Sequence, residues 1–463
     1  MHPFLALPSD STAHIPTKWS GAFKQVLAHY YNLLIPPTAN VLEIGCGDGS
    51  LLAGLKCVSK TGITATANET APARTRNPDA RIFSIDELET AELGTFDVIL
   101  ISDTLNLADD VQHLFGDALV YARVETRLLL NFYSSLWRPL ASIADALKIR
   151  SRPKPSSWLS RSDVRNLLVL SGWEPIKQQE RILWPLPTPV IERLVNRWVA
   201  PLLPWFCLTN FVVARPAAKM HTNRAKTVSV VVPARNEAGN IFAAVERTPL
   251  MGEWTEFIFV EGGSKDNTWE VIEQLADKFP RHRIKILKQT GKGKGNAVRD
   301  GFEVAKGEIL MILDADLTMP PEDLPKYYHA LADNHCEFAN GCRLVYPMEK
   351  KAMRFLNMVA NHFFGAAFSW VLGQHLKDTL CGTKVLTRDN WDRIQANRSY
   401  FGDFDPFGDF DMIFGADKLN LKISDIPIRY KERTYGETNI ERWKHGLLLL
   451  RMLAFAARKL KFV

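Results

Sequence analysis

Short apolar runs alternate with helical stretches over residues 36–135, where VLEIG (41–45), FDVILIS (96–102) and RLLLNFY (127–133) read as strands. Strand and helix in alternation predict a parallel sheet with crossover helices. The pattern breaks at 136–215, a stretch rich in Trp and Pro (SSLWRPL, PKPSSWLS, ILWPLPTPV, VAPLLPWF). That block suits a substrate lid, a membrane-facing wedge or packing between domains, and its composition does not choose among them. Residues 215–226 carry no hydrophobic period and read as a linker. From 227 the alternation restarts with VSVVVP, FIFVEGG, RIKILKQ and EILMILDAD. The predicted organisation is a first α/β domain over 1–214, extended from about 136, and a second over 227–463. No internal repeat or low-complexity tract appears.

Composition narrows the classes. With 46% hydrophobic and 23% charged residues over 463 positions, the chain is ordinary globular protein without long disorder. A net charge of +6 favours anionic partners such as nucleotide phosphates and acidic lipid headgroups. No Lys/Arg tract with interleaved aromatics points to nucleic acid. Six scattered cysteines without CxxC pairing read as reduced, buried thiols of a cytosolic protein. The N-terminus lacks the basic and apolar regions of a signal peptide, and no run reaches the roughly 18 apolar residues of a membrane helix. The expectation is a cytoplasmic protein, soluble or peripheral at the membrane.

The clearest chemistry lies in the second half. The apolar strand Ile309 to Leu313 runs directly into Asp314 and Asp316, and ligands of open α/β sheets sit beyond the carboxyl ends of strands. Two neighbouring carboxylates suit one hard divalent cation, Mg2+ or Mn2+, able to neutralise a diphosphate. A DxD alone is common in surface turns. Here it follows VVPARNEAGNI, then VEGGSKDNTWEVI, then the cationic loop QTGKGKGNAVRDG carrying Lys294, each at the end of a predicted strand. One capped helix start would be ordinary; the ordered set is not.

The order PARNE, VEGGSKD, GKGKGNA, DAD resembles glycosyltransferase family 2 with the GT-A fold. NGCRLV (340–345), KDTLCGTKVLTR (377–388), FGDFDMIF (407–414) and ERTYGETNI (432–440) are similar to the polyprenyl-phosphate, or dolichyl-phosphate, hexosyltransferases within it. The resemblance implies a nucleotide pocket at Pro233, Ala234, Asn236 and Glu237, with Glu261 and Asp266 near base and ribose. It implies a cation on Asp314 and Asp316. It implies an acceptor phosphate gathered by Arg343, Arg354 and Arg433, with Asp378, Gly382 and Lys384 on the acceptor side and Asp411 in the helix behind. Thr318 stands where many members carry a Gln ligand, and Glu261 where most have Asp. A phosphate monoester is mostly dianionic at neutral pH and needs positive charge rather than a base. A hydroxyl acceptor on a glycan or lipid would need one, with Asp409 or Asp411 the candidate. The apolar segments 354–376 and 444–463 suit interfacial contact with a membrane holding the acceptor.

In the first half, VLEIGCGDGSLLAGL is a strand, glycine turn and helix. Gly45, Gly47 and Gly49 allow close approach to a ligand whose amine Glu43 would reach. It resembles motif I of class I S-adenosylmethionine-dependent methyltransferases, which implies a Rossmann-like fold with Asp86 near adenine. The second strand ends in Thr64, Ala65 and Thr66, where relatives place a ribose-binding acid, and Glu69 is the nearest carboxylate. Two readings stay open: a cofactor-binding domain, or one retained as scaffold. A further alternative makes methyl transfer the main activity, with the second half a non-catalytic module.

Overall fold

The computed structural model describes residues 18–89, 91–139, 143, 158–186, 188–217, 224–346, 355–398, 408–431, 435 and 442–463. The chain divides into two compact units, Met1–Ala217 with Phe462–Val463, and Ala218–Lys461.

The first unit is built on β1 (Asn40–Ile44), β2 (Ser59–Thr64), β3 (Arg81–Ser84), β4 (Phe96–Ile101), β5 (Ala122–Tyr133), β6 (Trp173–Arg181) and β7 (Thr209–Pro216). They form one sheet in the order β3-β2-β1-β4-β5-β7-β6. Strands β1 to β5 pair in parallel, and β7 runs antiparallel to both β5 and β6. In β4, Val98 and Leu100 enter one core while Ile99 and Ile101 enter the other. Burial on both faces is why the strand is apolar at every position from Val98 to Ile101 instead of alternating. The order reverses between β1 and β4, and the glycine turn after β1 lies at that reversal.

The second unit has β8 (Val228–Ala234), β9 (Thr255–Glu261), β10 (Arg283–Lys288), β11 (Ile309–Ile312), β12 (Phe338–Cys342), β13 (Lys384–Thr387) and β14 (Ile423–Pro427), ordered β10-β9-β8-β11-β13-β12-β14. The first four in that order are parallel; β13 is antiparallel to β11 and β12. Both units therefore have the α/β architecture that the sequence resemblance implied.

One expectation needs correction. The linker was placed from 215, but Arg215 and Pro216 belong to β7, and the Arg215 side chain is buried with its Nε 2.9 Å from Glu174. A charged, aperiodic segment looks like a linker in sequence; a cross-strand partner on β6 holds it in the sheet. Among the described residues, no helix is long and apolar enough to cross a membrane.

Candidate functional site

A cavity of about 350 Å³ opens at the carboxyl ends of β8, β9 and β11. Pro233, Ala234 and Glu237 line it from the end of β8, Gly262 from β9, and Asp314 and Asp316 from the turn after β11. Lys294 completes it from the first turn of the helix Lys294–Val304, whose preceding residue, Gly293, has φ 83°. Gly293, Lys294 and Ala297 thus place the start of that helix at the cavity, a position that suits phosphate oxygens.

The turn carrying the acidic pair is tight. The Leu317 amide donates to the Asp314 carbonyl at 3.1 Å, and Leu317 takes a φ of 52°, a left-handed conformation that a bulky residue adopts at a cost. Thr318 donates to Asp316 from its amide at 3.1 Å and its hydroxyl at 2.9 Å. The residue standing in place of a Gln ligand thus orients the Asp316 carboxylate. Asp314 is paired with the Lys294 ammonium at 2.6 Å, and both side chains are about a third exposed. Burial opposes the Lys294 charge, but Asp314, Asp409 and Asp316 outweigh it and hold its pKa above the ordinary lysine value.

Two carboxylates supply the hard oxygen donors that Mg2+ or Mn2+ prefers. Among the described residues no group of three His, Cys, Asp or Glu stands ready for a metal. The residues therefore fit a cation of the kind bound by one or two carboxylates and completed by substrate phosphates.

Strand β13 abuts this pair directly. The antiparallel register Met311↔Val385 brings Gly382, just before β13, beside Asp314 at the end of β11. A Cβ on Gly382 would overlap the Asp314 carboxylate and the Lys294 ammonium. Lys384 is fully buried, donating to the Cys381 carbonyl and standing 3.8 Å from Asp409.

Other expected residues have local employment. The Asn236 amide donates to Ser264 Oγ, its side chain accepts from the Lys265 amide, and its φ is 57°. Glu237 accepts from Asn240 at 2.8 Å. Glu261 accepts from the Ser264 amide, and Asp266 accepts from the amide and hydroxyl of Thr268 at the start of the helix Thr268–Glu273. Asn236, Glu261 and Asp266 shape the loops behind the cavity without lining it.

Two roles change. Arg343 was expected to gather the acceptor phosphate, yet it is held two-pronged on Asp378 at 2.7 and 2.8 Å, with its side chain 11% exposed. Burial works against the Asp378 carboxylate, and Arg343 outweighs it, keeping the carboxyl below its ordinary range. Asp411 was the expected acid of the helix Asp409–Lys418. It faces a separate cavity with Arg299 and Arg398, its carboxylate 4.0 and 3.4 Å from them. Asp409 instead stands near Lys294 and Lys384. Two residues apart on a helix means about 200° around it, so the two cannot share a face. Arg354 and Arg433 lie outside the described residues. Sequence reasoning missed Gly262 and Gln289, which line the cavity from loops whose placement depends on strand pairing.

In the first unit, Gly45, Gly47 and Gly49 have φ of 74°, 50° and 71°, the left-handed turn their spacing suggested. Glu43 is 1% exposed in β1, and burial lifts its carboxyl to about 8, reinforced by Asp48 and Asp103 against Lys24. Glu69 accepts from the Ala65 amide at 3.2 Å, so a carboxylate does reach the end of β2 from the following helix. Asp86 is exposed after β3. A network absent from the sequence reading joins the neighbouring strand ends: Tyr31 and the Asp103 amide both donate to Asn131 Oδ1, and Asn131 donates back to Asp103.

Residues 229–393 match the family described as glycosyl transferase family 2, and residues 27–174 the family described as methionine biosynthesis protein MetW. Dolichol-phosphate mannosyltransferase of Pyrococcus furiosus is 37% identical over 122 residues, covering 26% of this chain and 33% of that protein. Undecaprenyl-phosphate 4-deoxy-4-formamido-L-arabinose transferase of Yersinia pestis is 34% identical over 114 residues, covering 24% and 35%. The chain thus spans about a third of the length of the curated relatives it matches. Among solved structures, a SAM-dependent methyltransferase of Thermotoga maritima aligns with a TM-score of 0.33 at 17% identity, over 43% of this chain and 92% of that one. The second unit carries a glycosyl transferase family 2 domain, preceded on the same chain by a MetW-like region.

Proposed function

We propose that the second unit transfers a hexose from a UDP- or GDP-sugar to a polyprenyl phosphate held in a membrane. The observation that carries this reading is the convergence of Asp314, Asp316 and the Lys294 helix terminus on one cavity. A cation on the two carboxylates would supply charge neutralisation for the donor diphosphate. Lys294, at the mouth of the same cavity, would offer its ammonium to a phosphate oxygen of the donor. Pro233, Ala234 and Glu237 form the wall on which the nucleoside rests. Arg354 and Arg433 are proposed to hold the acceptor phosphate, while Arg343 positions the Asp378 loop beside Gly382. The acceptor class is supported by the two relatives, which are named for different sugars but both for polyprenyl phosphates.

A hydroxyl acceptor is the second reading, because Asp409 stands on the Asp314 side. Its carboxylate lies 3.8 Å from buried Lys384 and also close to Lys294, so it is already committed to two cations, which argues against it. For the first unit, the left-handed glycine turn supports binding of S-adenosylmethionine, with Glu69 beside the ribose position.

The test incubates the full chain with a panel of UDP- and GDP-sugars, Mg2+ or Mn2+, and undecaprenyl phosphate in detergent. Labelled lipid with one donor is expected, and Asp314→Ala should remove it. Absence of labelling with every donor would sink the polyprenyl-phosphate reading.

A further inference from the structure

Residues 189–206, PVIERLVNRWVAPLLPWF, form the helix Pro189–Leu194, a wider-turned extension through Val199, and the short turn Pro204–Phe206. Its inner side is anchored. Asn196, 2% exposed, accepts from the Leu183 and Trp184 amides and donates to the Trp184 carbonyl and Glu192. Ala200 and Cys207 are buried beside it.

The outer side is apolar and exposed. Val190, Ile191, Leu194 and Leu202 lie there, with Trp205 65% and Phe206 59% exposed, and Trp198 at its edge stacks on the Phe462 ring at 5.5 Å. Trp137 donates to the Phe206 carbonyl at 2.9 Å, which brings exposed Leu136 alongside. Single exposed apolar residues are ordinary; so many gathered in one short anchored segment are the mark of an interaction surface. The exposed charges among them are Arg193 and Arg197, with Arg138 next to Trp137, and Arg197 lies 5.4 Å from the Trp198 ring.

We propose that this face seats the first unit on an anionic lipid surface, with Leu202, Trp205 and Phe206 entering the headgroup boundary and the arginines meeting lipid phosphates. Aromatic and aliphatic side chains on one face with cations at its edge are the pattern of interfacial segments. Self-association fits less well, because pairing two copies of the face sets arginine against arginine. The proposal deepens the membrane-held acceptor reading and rests on it for its purpose.

The experiment is co-sedimentation of the full chain with vesicles of phosphatidylcholine and phosphatidylglycerol lacking polyprenyl phosphate. Wild type should bind, and Leu202→Ser/Trp205→Ser/Phe206→Ser should bind at least about tenfold more weakly. Thermal unfolding of that variant should stay near wild type, since the side chains are exposed. Arg193→Glu/Arg197→Glu should lose the preference for anionic over pure phosphatidylcholine vesicles. Undiminished binding by the triple variant, or no binding by wild type, would overturn the proposal. So would concentration-dependent dimerisation that the triple variant abolishes, which would assign the face to a second copy. Nucleotide-sugar hydrolysis without vesicles, measured in parallel, separates the readings: vesicle binding without any donor turnover would uphold the surface and remove the transferase.

Discussion

The two sheets are built alike, yet their carboxyl edges hold charge in opposite ways. In the second unit Asp314 and Lys294 are about a third exposed and set against each other, ready to exchange partners. In the first, the acid at the corresponding edge, Glu43, is sealed at 1% exposure with its carboxyl raised to about 8. One edge keeps ionised groups in contact with solvent at the mouth of a cavity; the other withholds its charge. A parallel sheet offers a place for chemistry, and the solvation of a few side chains decides whether charged chemistry can occur there.

The contrast breaks most completely at Asp314. Asp314→Ala should reduce transfer by about a thousandfold, corresponding to several kcal/mol of lost charge stabilisation, read as kcat/KM with saturating Mn2+. Gly382→Ala comes next, at about a hundredfold, because making room for the Cβ displaces Asp314 and Lys294 by about an ångström and misplaces the donor. Its unfolding temperature should barely move, since the overlapped atoms are side-chain ends. A third comparison pits Asp409→Asn against Asp411→Asn. The first should lower turnover by about tenfold by disturbing Lys294 and Lys384. The second should leave turnover within about twofold while costing about 1–3 kcal/mol of stability, because Arg299 and Arg398 lose their shared partner.

The smallest effect probes the sealed edge. The folded state of the first unit holds a proton on Glu43 up to about pH 8, whereas an unfolded glutamate loses it near 4.3. Between those values the native state binds more protons, so stability falls as pH rises through that window. Glu43→Gln should therefore flatten the thermal unfolding curve against pH, with a gain of a few degrees over wild type at pH 8–9. An unchanged pH slope would show that Glu43 is ionised in the folded protein.

Much of this was legible because it is local. The apolar strands, the glycine turn at 45–49 and the acidic pair at the end of β11 are written in consecutive residues. What escaped depends on distant pairing. Arg343 looked like a phosphate ligand because nothing near it in sequence reveals that Asp378, thirty-five positions on, claims its guanidinium. The contact of Gly382 with Asp314 follows from the antiparallel register of β11 and β13, which no local pattern encodes. The choice between Asp409 and Asp411 turns on the phase of a short helix, and the linker boundary turned on a buried Arg215–Glu174 pair.

The antiparallel seam between β11 and β13 has a consequence for redesign. The residues proposed to handle the donor lie at or before the Asp314–Asp316 turn, ahead of β13 in the chain, and the proposed acceptor elements follow that turn. A swap of acceptor specificity should graft sequence after the Asp314 turn and keep one glycine fixed at the join. Exchanging donors would instead alter β8 to β10 and leave the seam untouched.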